Sequence, residues 1–301
     1  MNETHSTSKV LVGTALTPHS DPPLRAAAEI ARRTGAELHV LHAFSPPMAY
    51  FAAPAGLAAF DPQLLETELE VHRSLLDDQL RRLGISDDEV NSKSVVGGAP
   101  HRMIQETAAA LHPDLIVIGS SEASQPRWLG STADRVLRRS HRPVLITREG
   151  FEMPPRKILA PVDLSEDAEE SLRRGMKRLK AWGWESLEAR EIGSLFVLTT
   201  AEIDSSAQFN EEQLVRLAGE EIERFFKKFD AEGMFDVQPE VRVGDPREEI
   251  LAQLSAKECD LVVLGTHGRG GFERFLLGSV AADVAGRASC SALVIPPRDP
   301  S

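Results

Sequence analysis

Cysteine is nearly absent from this 301-residue sequence: Cys259 and Cys290 are the only two, and both fall in the second half. Two thiols supply neither the ligand spacing of a structural metal site nor a disulfide framework. Each stands just before an apolar run, which reads as burial in the role of a small apolar residue. No apolar stretch reaches the roughly 18 residues that span a bilayer. Met1 to Ser8 is polar and holds no apolar signal core, so the expectation is a cytoplasmic protein without a membrane partner. Positive charge is also scarce, with 34 Lys and Arg against 46 Asp and Glu, a net charge of −12. Such a field repels nucleic-acid backbones and acidic membrane surfaces and excludes both as bulk partners. It leaves open one phosphorylated small molecule held by a local site.

What the sequence has is a repeat. The length favours two domains, and 42 % apolar residues suffice for a core in each. Asp114-Leu-Ile-Val-Ile-Gly119 reappears as Asp260-Leu-Val-Val-Leu-Gly265, and Gly98-Ala-Pro100 as Gly244-Asp-Pro246. Gly130-Ser131 matches Gly278-Ser279, Pro143-Val-Leu-Ile146 matches Ser291-Ala-Leu-Val294, and Val10-Leu-Val12 matches Ile158-Leu-Ala160. Five blocks in one order define a tandem repeat, with copies over residues 1–149 and 155–301. A short linker, Glu149 to Pro155, carries Gly150, Pro154 and Pro155.

Within each copy, apolar β-rich runs alternate with amphipathic stretches. Strands are expected at Val10–Val12, Leu38–Leu41, Ser92–Val96, Leu115–Ile118 and Val144–Ile146, then at Lys157–Pro161, Leu195–Leu198, Val237–Val241, Leu261–Leu264 and Leu293–Ile295. Ser165 caps a helix with Glu166 and Asp167 in its first turn. Asn210 and Gln213 resemble a capping box for a helix to Phe229, with Leu214, Leu217, Ile222, Phe225 and Phe229 on one side. Further helices follow Pro246 and Gly278. Strands apolar on both faces and separated by helices predict an α/β fold: two tandem doubly wound domains, each with a parallel sheet covered on both sides. An Ala/Pro-rich insertion, Ser45 to Phe60, is either a loop folded on its own domain or a flap for a protein partner.

The segment Gly265-Thr-His-Gly268-Arg-Gly-Gly-Phe-Glu-Arg-Phe-Leu-Leu-Gly278-Ser279 carries the clearest chemistry. It runs from a strand end to a helix start. Glycines let backbone approach a ligand, and the free N–H groups of the helix start make a phosphate seat. Ser279 adds a hydroxyl, Arg269 and Arg274 add positive charge, and His267 lies inside the loop within reach of a ligand. The glycine spacing is that of neither a Walker loop nor a dinucleotide fingerprint.

This Gly-x2-Gly-x9-Gly-Ser pattern resembles the ATP-binding signature of the universal stress protein family, and Ile158-Leu-Ala-Pro161-Val-Asp163-Leu-Ser165 is similar to that family's first strand and aspartate. The resemblance covers the whole chain as two tandem domains. It implies five-stranded sheets ordered 3-2-1-4-5, with the site at the carboxyl ends of strands 1 and 4, where strand order reverses. It further implies that Asp163 meets the adenine and ribose end of ATP, together with Thr200 at the end of strand 2, and that Pro161 belongs to the same cofactor site. Gly265, Gly268, Gly278 and Ser279 would hold the phosphates with Val280 beside them, and Mg²⁺ would accompany the nucleotide. Because family members pair through their fifth strands, Val144–Ile146 and Leu293–Ile295 are expected to face each other as an intrachain pseudo-dimer, with a homodimer of whole chains a further option.

The first copy departs from the pattern. Ala15 stands for Asp163, Gly13 for Pro161 and Glu122 for Gly268, and the loop from Gly119 to Gly130 is two residues shorter. A carboxylate about 4 Å from a phosphate costs on the order of 4 kcal/mol at an effective dielectric near 20, so this site reads as degenerate. His39 and His42 lie on one strand at odd spacing and face opposite sides. Neither they nor His101 and His112 assemble a metal site, and Trp182 and Trp184 read as packing residues. No nucleophile–base pair with an orienting third group appears. Three functions follow in order: a nucleotide-binding stress-response module, a slow ATPase or phosphotransferase at the same site, and a scaffold that needs no nucleotide.

Overall fold

The computed structural model describes residues 8–45, 62–120, 129–184, 190–206, 208–229, 237–266 and 277–296. The first half alternates β1 (Lys9–Thr14), α1 (Asp21–Thr34), β2 (Glu37–Phe44), α2 (Pro62–Arg82), β3 (Ser92–Gly97), α3 (Pro100–Leu111), β4 (Leu115–Gly119), α4 (Gly130–Arg139) and β5 (Val144–Thr147). The second half repeats the order with β6 (Lys157–Pro161), α5 (Glu166–Ala181), β7 (Glu191–Leu198), α6 (Thr200–Asp204), α7 (Glu211–Phe229), β8 (Val237–Val243), α8 (Pro246–Ala256), β9 (Leu261–Gly265), α9 (Ser279–Arg287) and β10 (Ser291–Ile295). The insertion 46–60 lies outside the described residues.

Local signals set the elements. Ser165 caps α5, its Oγ accepting from the Ala168 N–H at 3.1 Å, with Glu166 and Asp167 in the first turn where acidic residues complement the helix dipole. At the start of α7, Asn210 and Gln213 exchange reciprocal bonds of 3.0 and 2.9 Å, the expected capping box. The buried stripe of α7 runs through Ala218, Ile222, Phe225 and Phe226, so Leu217 sits at its edge and not at its centre. β7 begins four residues before its apolar run. Gly193 and Ser194 hid that extension, and the Ser194 hydroxyl tolerates burial by donating to the Ala160 carbonyl at 3.1 Å.

Asp114 and Asp260, matched in the repeat, do the same structural work. The Asp114 carboxylate accepts the Lys9 N–H at 2.9 Å, and Asp260 accepts those of Arg156 and Lys157 at 2.9 and 2.8 Å. Each ties the start of its domain's fourth strand to the start of its first.

All ten strands form one sheet in the order β3-β2-β1-β4-β5-β10-β9-β6-β7-β8. Each half is thus parallel and ordered 3-2-1-4-5, as expected from the resemblance. The joint between the halves is antiparallel, pairing Ala292 with Ile146, Leu293 with Leu145 and Val294 with Val144. Leu145 and Leu293 occupy equivalent places in the two copies, so the joint is self-complementary, like the isologous contact of a twofold dimer. Arg148 locks it: its guanidinium donates to the carbonyls of Ala285, Gly286 and Cys290 at 3.1, 2.9 and 3.1 Å, satisfying carbonyls at the end of α9.

Helices cover both faces, and each apolar layer runs through both halves. One contains Val10, Leu24, Leu145, Ile158, Trp182, Trp184 and Leu293; the other contains Leu11, Ile118, Ile146, Val262 and Val294. Trp182 and Trp184 are core residues, as expected. Among the described residues no helix is long and apolar enough to cross a membrane.

Candidate functional site

A crevice opens in the second half because two neighbouring strands part. β6 and β9 pair only at Ile158 with Leu261 and Leu159 with Val262. Beyond that point β6 turns with β7 and β9 turns with β10. The carboxyl ends of β6 and β9 therefore flank the place where strand order reverses, the usual ligand position in an open α/β sheet.

Pro161 closes β6 in register with Leu195. Two residues on, the Asp163 carboxylate accepts from the Ser165 N–H at 3.1 Å and from its hydroxyl at 2.6 Å. Asp163 is therefore not the helix cap itself; it steadies Ser165, which is. Between them Leu164 adopts φ 62°, and Leu16 in the first copy adopts φ 60°. A leucine in the left-handed region is uncommon and costs of order 1–3 kcal/mol. In both copies the half-buried leucine side chain packs against the same apolar layer.

Across the crevice, Gly265 ends β9 opposite Ile295. The Thr266 N–H donates to the Ile295 carbonyl at 3.2 Å, and the Gly278 N–H donates to the Thr266 carbonyl at 2.7 Å. The two ends of the glycine-rich loop are thereby clamped together. A Cβ on Gly278 would stand 2.9 Å from the Thr266 oxygen, a backbone atom, so only glycine fits. Ser279 opens α9, exposed, and Val280 is half-buried behind it. Thr200 is exposed at the first position of α6, just past the end of β7, with Thr199 as its cap. His267, Gly268 and Arg269 lie outside the described residues.

One contact escaped the sequence reading. Arg247, in the first turn of α8, donates through Nη2 to the Ser279 hydroxyl at 3.0 Å. Its Nη1 lies 3.3 Å from the carboxylate of Asp245, the residue that caps α8. The two arginine and serine positions are 32 residues apart, and no local pattern links them.

In the first copy the equivalent strand ends enclose a cavity of about 480 Å³. Apolar Leu41, Ile104 and Ile118 line it together with the hydroxyl residues Thr14, Ser20, Ser131 and Thr132. Ala15 lines it where the second copy has Asp163. Gly130 has φ 75° and belongs to α4, whereas Gly278 precedes α9. Glu122 lies outside the described residues.

His39 and His42 face opposite sides of the sheet, as their spacing requires. His39 Nδ1 lies 2.7 Å from Ser92 Oγ, while His42 is buried on the α2 side, 2.8 Å from His72 Nδ1. Among the described residues, no group of three acidic, histidine or cysteine side chains forms a metal site. Burial pushes the Cys259 thiol up to about 11 and the Cys290 thiol to about 12, which leaves both protonated and unreactive at neutral pH. Cys259 is half-buried and Cys290 buried.

The sequence model of the universal stress protein family matches residues 7–148 and again 154–296. The chain belongs to the universal stress protein family. A universal stress protein of Mycobacterium tuberculosis is 27 % identical over 306 residues, spanning 95 % of this chain and 95 % of that protein. A universal stress protein of Methanocaldococcus jannaschii is 31 % identical over 154 residues, covering 46 % of this chain and 94 % of its own length, as a single copy matched to a tandem one would. Among solved structures, a universal stress protein from Archaeoglobus fulgidus superposes with a TM-score of 0.63 at 20 % identity, covering 97 % of this chain and 98 % of that one. At that identity the likeness speaks for the fold.

Proposed function

We propose that this universal stress protein is a nucleotide-binding stress-response module of the cytoplasm that holds one ATP, with Mg²⁺, in its second domain. The observation that carries the reading is the parting of β6 and β9 with Asp163 on one lip and the Gly265–Gly278 clamp on the other. Asp163, with Pro161 and Thr200, would take the adenine and ribose end. Gly265, Gly278, Ser279 and Val280, together with His267, Gly268 and Arg269, would take the phosphates. The cradle fits such a group: backbone approaches closely at Gly278, the start of α9 offers N–H groups, and its dipole favours negative charge. The first copy offers neither Asp163 nor Gly268, and protein partners would read the state of the second.

The test is mass spectrometry of ligand released from purified, denatured protein, followed by calorimetry with ATP. One ATP per chain is expected. Gly268→Glu should abolish binding, and Asp163→Ala should weaken it by about 1–3 kcal/mol, the worth of a charged hydrogen bond. Two equivalent sites per chain, or a Gly268→Glu variant that binds like the parent, would sink the assignment. Rapid multiple-turnover phosphate release lost in Asp163→Ala would move the reading to an ATPase.

A further inference from the structure

We infer that Arg247 is a phosphate-recognition residue of the second-domain site, making it selective for phosphorylated over unphosphorylated adenine ligands. The inference rests on the nucleotide reading above and adds to it a residue from a different element, α8.

Ser279, the first residue of α9, is engaged by a side chain from α8. Its oxygen accepts a hydrogen bond from Arg247 Nη2 at 3.0 Å. A hydroxyl whose lone pair is engaged by a guanidinium has its own proton turned away from that cation. At the first position of α9, that proton is left to donate toward the helix N-terminus, where an anion would sit. The arginine thus sets the serine as a donor and puts a permanent positive charge beside the same place. It is held there from behind: its backbone N–H donates to the Asp245 carboxylate at 2.8 Å, and its Nη1 lies 3.3 Å from the other Asp245 oxygen. One aspartate caps the helix and aims the side chain.

The first copy supplies an internal comparison. There the Gly-Asp-Pro that precedes Arg247 is Gly98-Ala99-Pro100, and His101 stands at the arginine's place. The anchoring carboxylate is gone. His101 has its protonation disfavoured by burial and then by Arg135, Arg139 and Arg102. Cation and anchor are therefore both lost from the copy that also lacks the equivalents of Asp163 and Gly268. Loss of all four together is what a vanished nucleotide site would leave, with Arg247, Asp245 and Gly268 at its phosphate end. A purely structural Arg247–Ser279 contact gives no reason for the four to go as a set.

The experiment measures binding of ATP, adenosine and inorganic tripolyphosphate to the full chain and to Arg247→Gln and Arg247→Lys, with thermal melting of each. For Arg247→Gln, ATP and tripolyphosphate affinity should fall about tenfold, the loss expected for one charge-assisted contact. Adenosine affinity should not change, and the salt dependence of ATP binding should become shallower. Arg247→Lys should restore part of the loss. Equal weakening of ATP and adenosine, or ATP binding unchanged in Arg247→Gln, would overturn the inference while leaving the nucleotide reading standing. A parent that binds tripolyphosphate through Arg247 but shows no preference for an adenine would instead overturn the adenine assignment and keep this one. A parent that binds none of the three removes both.

Discussion

Gly278 and Gly219 show how differently one residue type acts in this chain. A methyl group on Gly278 meets the Thr266 carbonyl oxygen at 2.9 Å, whereas one on Gly219, within α7, meets nothing within 4 Å. Backbone conformation is not the obstacle at Gly278, whose φ is −56°. The conflict is with backbone that cannot rotate aside, so Gly278→Ala must spread the clamp between Thr266 and α9. We expect a loss of about 1–3 kcal/mol, the usual cost of overpacking, together with impaired nucleotide binding. Gly219→Ala should stabilise by roughly 0.4–1 kcal/mol by restricting the unfolded chain. Thermal melting of both variants checks the pair, and a Gly278→Ala protein that melts with the parent would show that the clamp yields. The repeat pointed to Gly278 in the sequence. It pointed equally to Asp114 and Asp260, which serve the sheet and not the site, since repetition marks what both copies need, and both need a fold.

At the scale of elements, β2 and α2 meet through a pair of histidines. His42 Nδ1 lies 2.9 Å from the Thr14 carbonyl, which only an N–H can satisfy, and its Nε2 lies 2.8 Å from His72 Nδ1. Phe44 stacks on His72 with ring centroids 4.2 Å apart, and Glu68 lies 3.8 Å from His72 Nε2. Burial, followed by the neighbouring His72, holds His42 below its usual value, while the Thr14 carbonyl opposes the shift. The folded state thus favours the neutral ring, and the unfolded chain takes up the proton first. The resulting stability is present above about pH 6.5, the ordinary histidine value, and is lost as pH falls below it. Its slope is at most about 1.4 kcal/mol per pH unit for a single proton. Melting temperatures of the parent and His42→Asn between pH 7.5 and 5.0 should converge as the pH falls, because the variant has no proton to take up there. Parallel curves would exclude His42 as the source. The strand spacing revealed that His42 faces away from His39, but neither its side of the sheet nor its partner, because His72 lies on a separate helix.

The whole molecule is a ten-stranded sheet that behaves as a dimer written in one chain. Its two halves meet at Leu145 and Leu293, each fully buried, and the apolar layers above and below cross the joint without a break. An ammonium placed there is shut away from solvent and meets no acidic partner among the paired residues of β5 and β10. Leu145→Lys and Leu293→Lys should each cost more than about 3 kcal/mol, as unpaired buried charges do. The two positions face each other on one buried layer, so the double variant sets like charges side by side and should lose at least the sum of the two. Thermal melting and size-exclusion chromatography are the measurements. Variants that keep the parent's melting temperature and compact size would mean that the joint contributes little to holding the halves together.

By itself the sequence determined the tandem repeat, the alternation of strands and helices, and the positions of Asp163, Gly265, Gly278 and Ser279 at strand ends and a helix start. Those features follow from periodicity and from side chains acting on their own few neighbours. Strand order and the meeting of the fifth strands were legible through resemblance to the family, since periodicity does not say which strand lies beside which. Only the tertiary structure decided the antiparallel register that sets Leu145 on Leu293, the reach of Arg148 onto the end of α9, and the Arg247–Ser279 contact. Each of these joins residues far apart in the chain, and each depends on how two separately formed elements come to rest against one another.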